Sequence, residues 1–394
     1  MGEQFDKAVS LKEICHAARE TRRGAPNKDS SVEWSLHTLS KGKKLRDDVL
    51  SGRYKMRRGV KVQIYRPKRR EAIAPFCRDK VWQRSICNNG AYHDLTRSNI
   101  YDNMACQKGK GTDLAIKRIL KKMKRLHRKA AGGDVYGVHL DVRKYFPSTP
   151  HWAVKELDSR KVTEEKFLPY LYEIIDSVPG DIGTGLGSQI NQINQVCLMD
   201  RIDHDIICLG VEYIRYNDDF LIMSTDKELV RKAKEIAFEG IRKLGLTPVD
   251  KAGIFSLYQG FQFMRKRFIL KHSGKVIIRL HKKALSDEKK VLKKLKKRWK
   301  DGEIPYETIK AHYQSWVANA SYAGWALIRA MDQYYSEIFG QRPEYKVKRR
   351  YLYGKHQEKT GGHDPGPGSG KQQAPGRARK EQGKPGIRGN DDRC

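Results

Sequence analysis

The stretch VEYIRYNDDFLIMS, Val211–Ser224, sets two adjacent carboxylates, Asp218 and Asp219, between runs rich in Ile, Tyr, Phe, Leu and Met. Two apolar runs separated by Asn and Asp predict a β-hairpin with the acidic pair at its tip. Such a tip has two readings: a solvated turn, or a cation site. Neighbouring carboxylates repel, and burying them is costly unless something positive neutralises them, so the second reading calls for a metal ion.

Composition narrows the partner. The 394 residues carry 80 Lys and Arg against 46 Asp and Glu, a formal charge of +34, which is more than solubility requires and points to a polyanion, nucleic acid first. A content of 38% hydrophobic and 9% aromatic residues is globular, with length for two or three lobes. An anionic membrane is the competitor, but no apolar run approaches the roughly 18 residues of a spanning helix. The start MGEQFDKAVSLKEICHAARE reads neither as a signal peptide nor as a myristoylation site, so an intracellular protein is expected. Seven scattered cysteines without a C-x-x-C pair indicate reduced, mostly buried thiols rather than a disulfide framework or zinc site.

Around the hairpin, VYGVHLDVRKYF from Val135 alternates Val138, Leu140 and Val142 with Gly137, His139 and Asp141, the period of a strand, so Asp141 points away from the packed face. His139 shares that side and is read as a packing or supporting residue. DLAIKRILKKMKRLHRKA from Asp113 spaces Leu114, Ile119, Leu120, Met123 and Leu126 as an amphipathic helix with a basic opposite face. HKKALSDEKKVLKKLKKRWKDG repeats Leu285, Leu292, Leu295 and Trp299 amid lysines dense enough to suggest phosphate binding. YETIKAHYQSWVANASYAGWALIRAMDQYYSEIF reads as a packed helical pair, and the Gly-, Pro- and Lys-rich segment from Lys355 to Cys394 as a disordered basic tail.

Asp141, Asp218 and Asp219 on two neighbouring strands form a set able to coordinate two Mg²⁺ ions for phosphoryl transfer, the ions being roughly 3.5–4 Å apart in such sites. From Lys44 to about Gly340 the chain resembles the reverse transcriptases, in particular the bacterial group II intron and diversity-generating retroelement branch. YNDD resembles their Y-x-D-D box. LDVRKYFPST resembles the preceding metal strand, with Phe146 where the family places the aromatic that excludes a ribose 2′-hydroxyl. RREAIAPFCRDKVWQ resembles the fingers motif, which implies that Arg70, with Lys68 beside it, grips the incoming triphosphate. YDNMACQKGKGTDLAI is similar to the next fingers block, with Gly109 and Gly111. LGLTPVDKAGIFSLYQGFQFMRKRF is similar to the last palm motifs, with the primer-gripping turn near Gly260 and Phe261.

The box LGSQINQ departs from the family's usual Q-G-x-x-x-S-P: Leu186 stands at the Gln, Gly187 is kept, and Asn191 and Gln192 replace Ser-Pro. The diversity-generating enzymes resemble this more closely, which implies error-prone copying at template adenines. The resemblance thus implies an α+β right-hand polymerase fold: an N-terminal helical extension over 1–43, fingers and palm over 44–260, a helical thumb over 261–345, and a basic tail over 346–394. It implies an RNA template, a DNA primer, dNTPs and two Mg²⁺ ions, in a cytoplasmic protein that is bacterial or phage-encoded. A cognate non-coding RNA or a small basic accessory protein is a further expected partner, and no membrane is. Rival readings are an RNA-binding intron maturase on the same scaffold and an antiphage-defence polymerase. No clustered His and Asn or Cys pairs follow the thumb, so an appended nuclease is not expected.

Overall fold

The sequence opens on polar helix starts and short apolar repeats, and a computed structural model, which describes residues 2–65, 69–281 and 283–345, folds them as four helices: α1 (Glu3–Ala8), α2 (Leu11–Arg23), α3 (Asp29–Leu36) and α4 (Thr38–Leu50). Ser10 caps α2 by accepting from the Glu13 amide, as the S-x-x-E pattern favours. A two-stranded antiparallel hairpin follows, β1 (Val60–Ile64) and β2 (Arg70–Ala74), and then α5 (Cys77–Ile86), α6 (Tyr92–Thr96) and the basic helix α7 (Thr112–Ala130). Helix α4 runs through position 43, so the expected boundary there falls inside one helix.

The central strand β3 (Tyr136–Val142) leads through α8 (Tyr145–Ser148), α9 (His151–Lys161), α10 (Leu168–Asp176), α11 (Gln189–Cys197) and α12 (Asp200–Ile207) to the hairpin β4 (Glu212–Tyr216) and β5 (Asp219–Ser224). After α13 (Lys227–Lys243), whose N-terminus is capped by the Asp226 carboxylate, β6 (Pro248–Ser256) completes an antiparallel sheet of order β4-β5-β3-β6. A three-stranded meander, β7 (Phe261–Phe263), β8 (Lys266–Leu270) and β9 (Val276–Leu280), and three helices, α14 (Ala284–Lys300), α15 (Tyr306–Ala320) and α16 (Trp325–Phe339), follow. The class is α+β with antiparallel sheets, as expected.

Both faces of the four-stranded sheet are packed. Val138, Leu140, Val142, Phe220 and Ile222 join the N-terminal and middle helices in one hydrophobic cluster, while Ile214, Leu221 and Met223 join α7 and the meander in another. This explains why β5 reads as an unbroken apolar run. The side of β3 that carries Asp141 is covered as well: Gly137 and His139 are buried, and a Cβ at Gly137 would lie 2.9 Å from the side chains of Leu257 and Phe255. A third cluster holds α14, α15 and α16 together through Leu292, Ile309, Tyr313, Val317, Ile328 and Tyr335.

Among the described cysteines, Cys15, Cys87 and Cys197 are buried but Cys106 and Cys208 are exposed, and all are free thiols. No described helix is long and apolar enough to cross a membrane. Met1–Arg350 clusters as one compact unit; the second, Tyr351–Cys394, lies outside the described residues together with the expectation of a disordered tail.

Candidate active site

The hairpin begins from its register. Tyr216 pairs with Asp219, which leaves Asn217 and Asp218 as a two-residue turn, with Asn217 at φ 59°, a left-handed conformation that asparagine tolerates. Across the sheet Leu140 pairs with Phe220, so the next residues on the antiparallel strands, Asp141 and Asp219, stand opposite each other. Asp141 Oδ1 accepts from the Val142 amide at 2.8 Å. His139 Nε2 lies 3.0 Å from Asp219 Oδ1, its ring edge-on to Phe263. From β6, Lys251 Nζ reaches both carboxylates, 2.5 Å from Asp141 Oδ2 and 2.6 Å from Asp219 Oδ1.

Charge in this cluster is lopsided. Burial, and then the charges of Asp141 and Asp219, push the Asp218 carboxyl up to about 6. Burial also raises Asp219, but hydrogen bonds from His139 and Lys251 and the Lys251 charge overcome it and hold that carboxyl below its ordinary range. Burial would lower Lys251, yet its two carboxylate partners keep it above the usual lysine value. Three carboxylates thus share one ammonium group and one imidazole.

Among the described residues no three His, Cys, Asp or Glu side chains close into a ready metal cage. Lys251 spans two of the acids, Asp141 and Asp219. The donor set nevertheless suits a hard divalent cation: all three acids offer carboxylate oxygens, an ammonium sits between two of them as a cation would, and no salt bridge to Asp218 is formed among the described residues.

The other expected site residues fall into two places. Phe146 is half-buried in α8, while its neighbour Tyr145 is fully buried and donates to the Gln195 carbonyl, so Phe146 is the more accessible ring. The Phe146 carbonyl accepts from the Thr184 amide at 2.9 Å, which ties α8 to the loop carrying Leu186 and Gly187. That loop docks on the β1–β2 hairpin: the Ile73 amide donates to the Leu186 carbonyl at 2.7 Å. Gly187 has φ 118°, and a Cβ there would sit 2.6 Å from the Ile73 carbonyl oxygen, so only glycine fits. Gln192 on α11 lines a cavity of about 480 Å³ with Gly187, Gln189, Arg84 and Lys108. Arg70 is exposed at the start of β2, and Lys68 lies outside the described residues. The structure therefore joins the three carboxylates in one cluster and places Gly187 and Gln192 at a separate cavity, with Leu186 on the loop docked to β2.

Lys251 and Arg215 are the functional candidates that sequence reasoning passed over. The signal for Lys251 is faint: one lysine on a strand whose same-side neighbours two positions away, Val249 and Gly253, carry no charge. Arg215, two residues before the turn, is wholly buried.

No protein-family model matches the chain, and no curated protein is similar to it in sequence. Among solved structures it is similar to apo telomerase from Candida tropicalis (12% identity, TM-score 0.45, covering 72% of this chain and 59% of that one). A form of that protein truncated from its C-terminal domain gives 12% identity and a TM-score of 0.43, covering 62% and 60%. Telomerase from Candida albicans in complex with a fragment of telomeric RNA gives 10% identity and a TM-score of 0.43, covering 77% and 59%. The chain spans about 60% of the length of these telomerases. Likeness at these values carries no weight in reading the site.

Proposed function

We propose that the chain is an RNA-directed DNA polymerase that extends a primer by nucleotidyl transfer at Asp141, Asp218 and Asp219. The observation that supports this reading is the convergence of three carboxylates at one end of a buried antiparallel sheet, with a single ammonium group to offset them. Asp141, Asp218 and Asp219 would hold two Mg²⁺ ions, whose bound chemistry is to lower the pKa of a primer 3′-hydroxyl and to offset charge on departing pyrophosphate. For these carboxylates to take up metal, Lys251, whose side chain is 34% exposed, would have to swing away from them. Asp218, whose carboxyl is pushed up to about 6, would bind metal in its ionised form. His139 stays on Asp219 and fixes its orientation. The Phe146 ring occupies the space beside the sugar and disfavours a 2′-hydroxyl, and Arg70 at the start of β2 reaches for the triphosphate. The exposed lysines of α14 track the duplex backbone, a salt-sensitive and sequence-tolerant interaction.

Primer extension on a defined RNA tests this, with the four dNTPs, the four rNTPs and a no-template control. Templated DNA synthesis is expected; untemplated addition would favour a defence polymerase of another kind, and tight RNA binding without extension would favour a maturase.

Within the class, Leu186 inclines the assignment to the bacterial branch of diversity-generating enzymes. An aliphatic side chain at the usual glutamine removes a hydrogen bond worth about 0.5–1.5 kcal/mol near the nascent pair, or roughly three- to tenfold in discrimination. Sequencing of the cDNA should show low fidelity with errors concentrated at template adenines, and Leu186→Gln should raise it. A low, even error spectrum would remove the reason for this placement.

A further inference from the structure

Arg215 and Asp203 are both 0% exposed and form a bidentate pair beneath the acidic turn, Nε to Oδ1 at 2.7 Å and Nη2 to Oδ2 at 2.5 Å. The Tyr213 hydroxyl donates to the same Asp203 Oδ1 at 2.7 Å. The remaining donors of the guanidinium leave this pair in two directions. Nη1 donates to the Asn217 carbonyl at 3.0 Å, and Nη2 to the Val196 carbonyl near the end of α11 at 2.8 Å. The Arg215 backbone is fixed as well: its amide donates to the Asp102 carbonyl at 3.1 Å and its carbonyl accepts from the Met104 amide at 2.9 Å.

The Asn217 carbonyl belongs to the peptide whose nitrogen is that of Asp218. Gripping this carbonyl sets the plane of the peptide, and so the direction in which the Asp218 side chain leaves the turn, at a residue preceded by a left-handed Asn217. A planar guanidinium can hold a carboxylate and two carbonyls at fixed angles; an ammonium, a point charge on a flexible stem, cannot. We infer that Arg215 is a positioning residue: anchored by Asp203, it orients Asp218 for metal binding and locks the acidic turn to α11, the helix that carries Gln192. The inference rests on reading the carboxylate cluster as a metal site.

The test is Mn²⁺ binding to the full chain without nucleotide, followed by electron paramagnetic resonance, alongside thermal melting. Arg215→Lys keeps the charge opposite Asp203 but cannot span both carbonyls, and it should weaken Mn²⁺ binding about tenfold, the usual lower bound when a group that orients a metal ligand is removed. Asp203→Asn, isosteric but without the charge that anchors Arg215, should shift affinity in the same direction, and it decides the matter if Arg215→Lys does not fold. Tyr313→Phe, which deletes a hydroxyl bonded to Asp332 in the C-terminal helices, serves as the control that lowers the melting temperature alone. A folded Arg215→Lys or Asp203→Asn chain that melts lower yet binds Mn²⁺ as wild type would overturn the inference and leave the pair a structural one. A wild-type chain that binds no Mn²⁺ would remove the reading of the cluster itself, and the inference with it.

Discussion

Lys251 lies between Asp141 and Asp219 and pairs with both, which closes the acids into an ion cluster. Two consequences are measurable. Lys251→Ala leaves like charges facing each other without metal and removes the competitor when metal is added. Its melting temperature should therefore be lower without Mg²⁺ and rise further on adding Mg²⁺ than that of the wild type; equal rises would mean that the ammonium does not compete. Phe146→Ala should open the space beside the sugar and sharply reduce the preference for dNTP over rNTP. An unchanged preference would place the gate elsewhere, and Tyr145 is a poor substitute because its ring is buried and its hydroxyl is committed to Gln195. The acidic residues were legible in the sequence because adjacent aspartates in an apolar hairpin are chemically conspicuous. Lys251 and Arg215 were not, since one positive residue among 80 carries no signal until a fold brings it to a carboxylate.

Helices show the same limit from another side. Periodicity finds both basic helices, α7 and α14, but not what their charges do. Arg118 of α7 makes a bidentate pair with Asp102 at 2.6 and 2.7 Å, Lys122 is only 6% exposed and bridges Asp102 and Glu212, and Arg125 also pairs with Glu212. Much of that face is internal bracing between the helix, β4 and the loop at Asp102, not the free basic surface that the sequence suggests. Asp102 and Glu212 lie 16 and 90 positions away from their partners, out of reach of any local pattern. On α14, by contrast, Lys290, Lys293 and Lys297 are exposed. Replacing these three by Ala should weaken binding to an RNA–DNA duplex and flatten its salt dependence by about 0.7–0.9 in log–log slope for each phosphate that is no longer neutralised. Arg118→Ala should instead lower the melting temperature, and a triple α14 variant with an unaltered salt slope would remove that helix from the interface.

At the scale of the molecule, the decisive feature is a sheet packed on both faces that carries Asp141, Asp218 and Asp219 at one end, where these residues are half-buried. Alternation along β3 located Asp141 on its strand, but it could not show that the far face is covered by α7 and the meander, because that cover comes from segments distant in sequence. The loop at Leu186 and Gly187 reaches the site region by docking on β2, an attachment set by the Ile73 amide and by a backbone shape that only glycine adopts. All of this architecture serves one claim, that the three carboxylates transfer nucleotides. The most direct measurement is primer extension on an RNA template in Mg²⁺ by the wild type, Asp218→Asn and Asp219→Asn, with duplex affinity measured in parallel. The account predicts extension by the wild type and none by either variant, with duplex binding nearly intact because the basic surface is untouched; extension by either variant at close to the wild-type rate would contradict it.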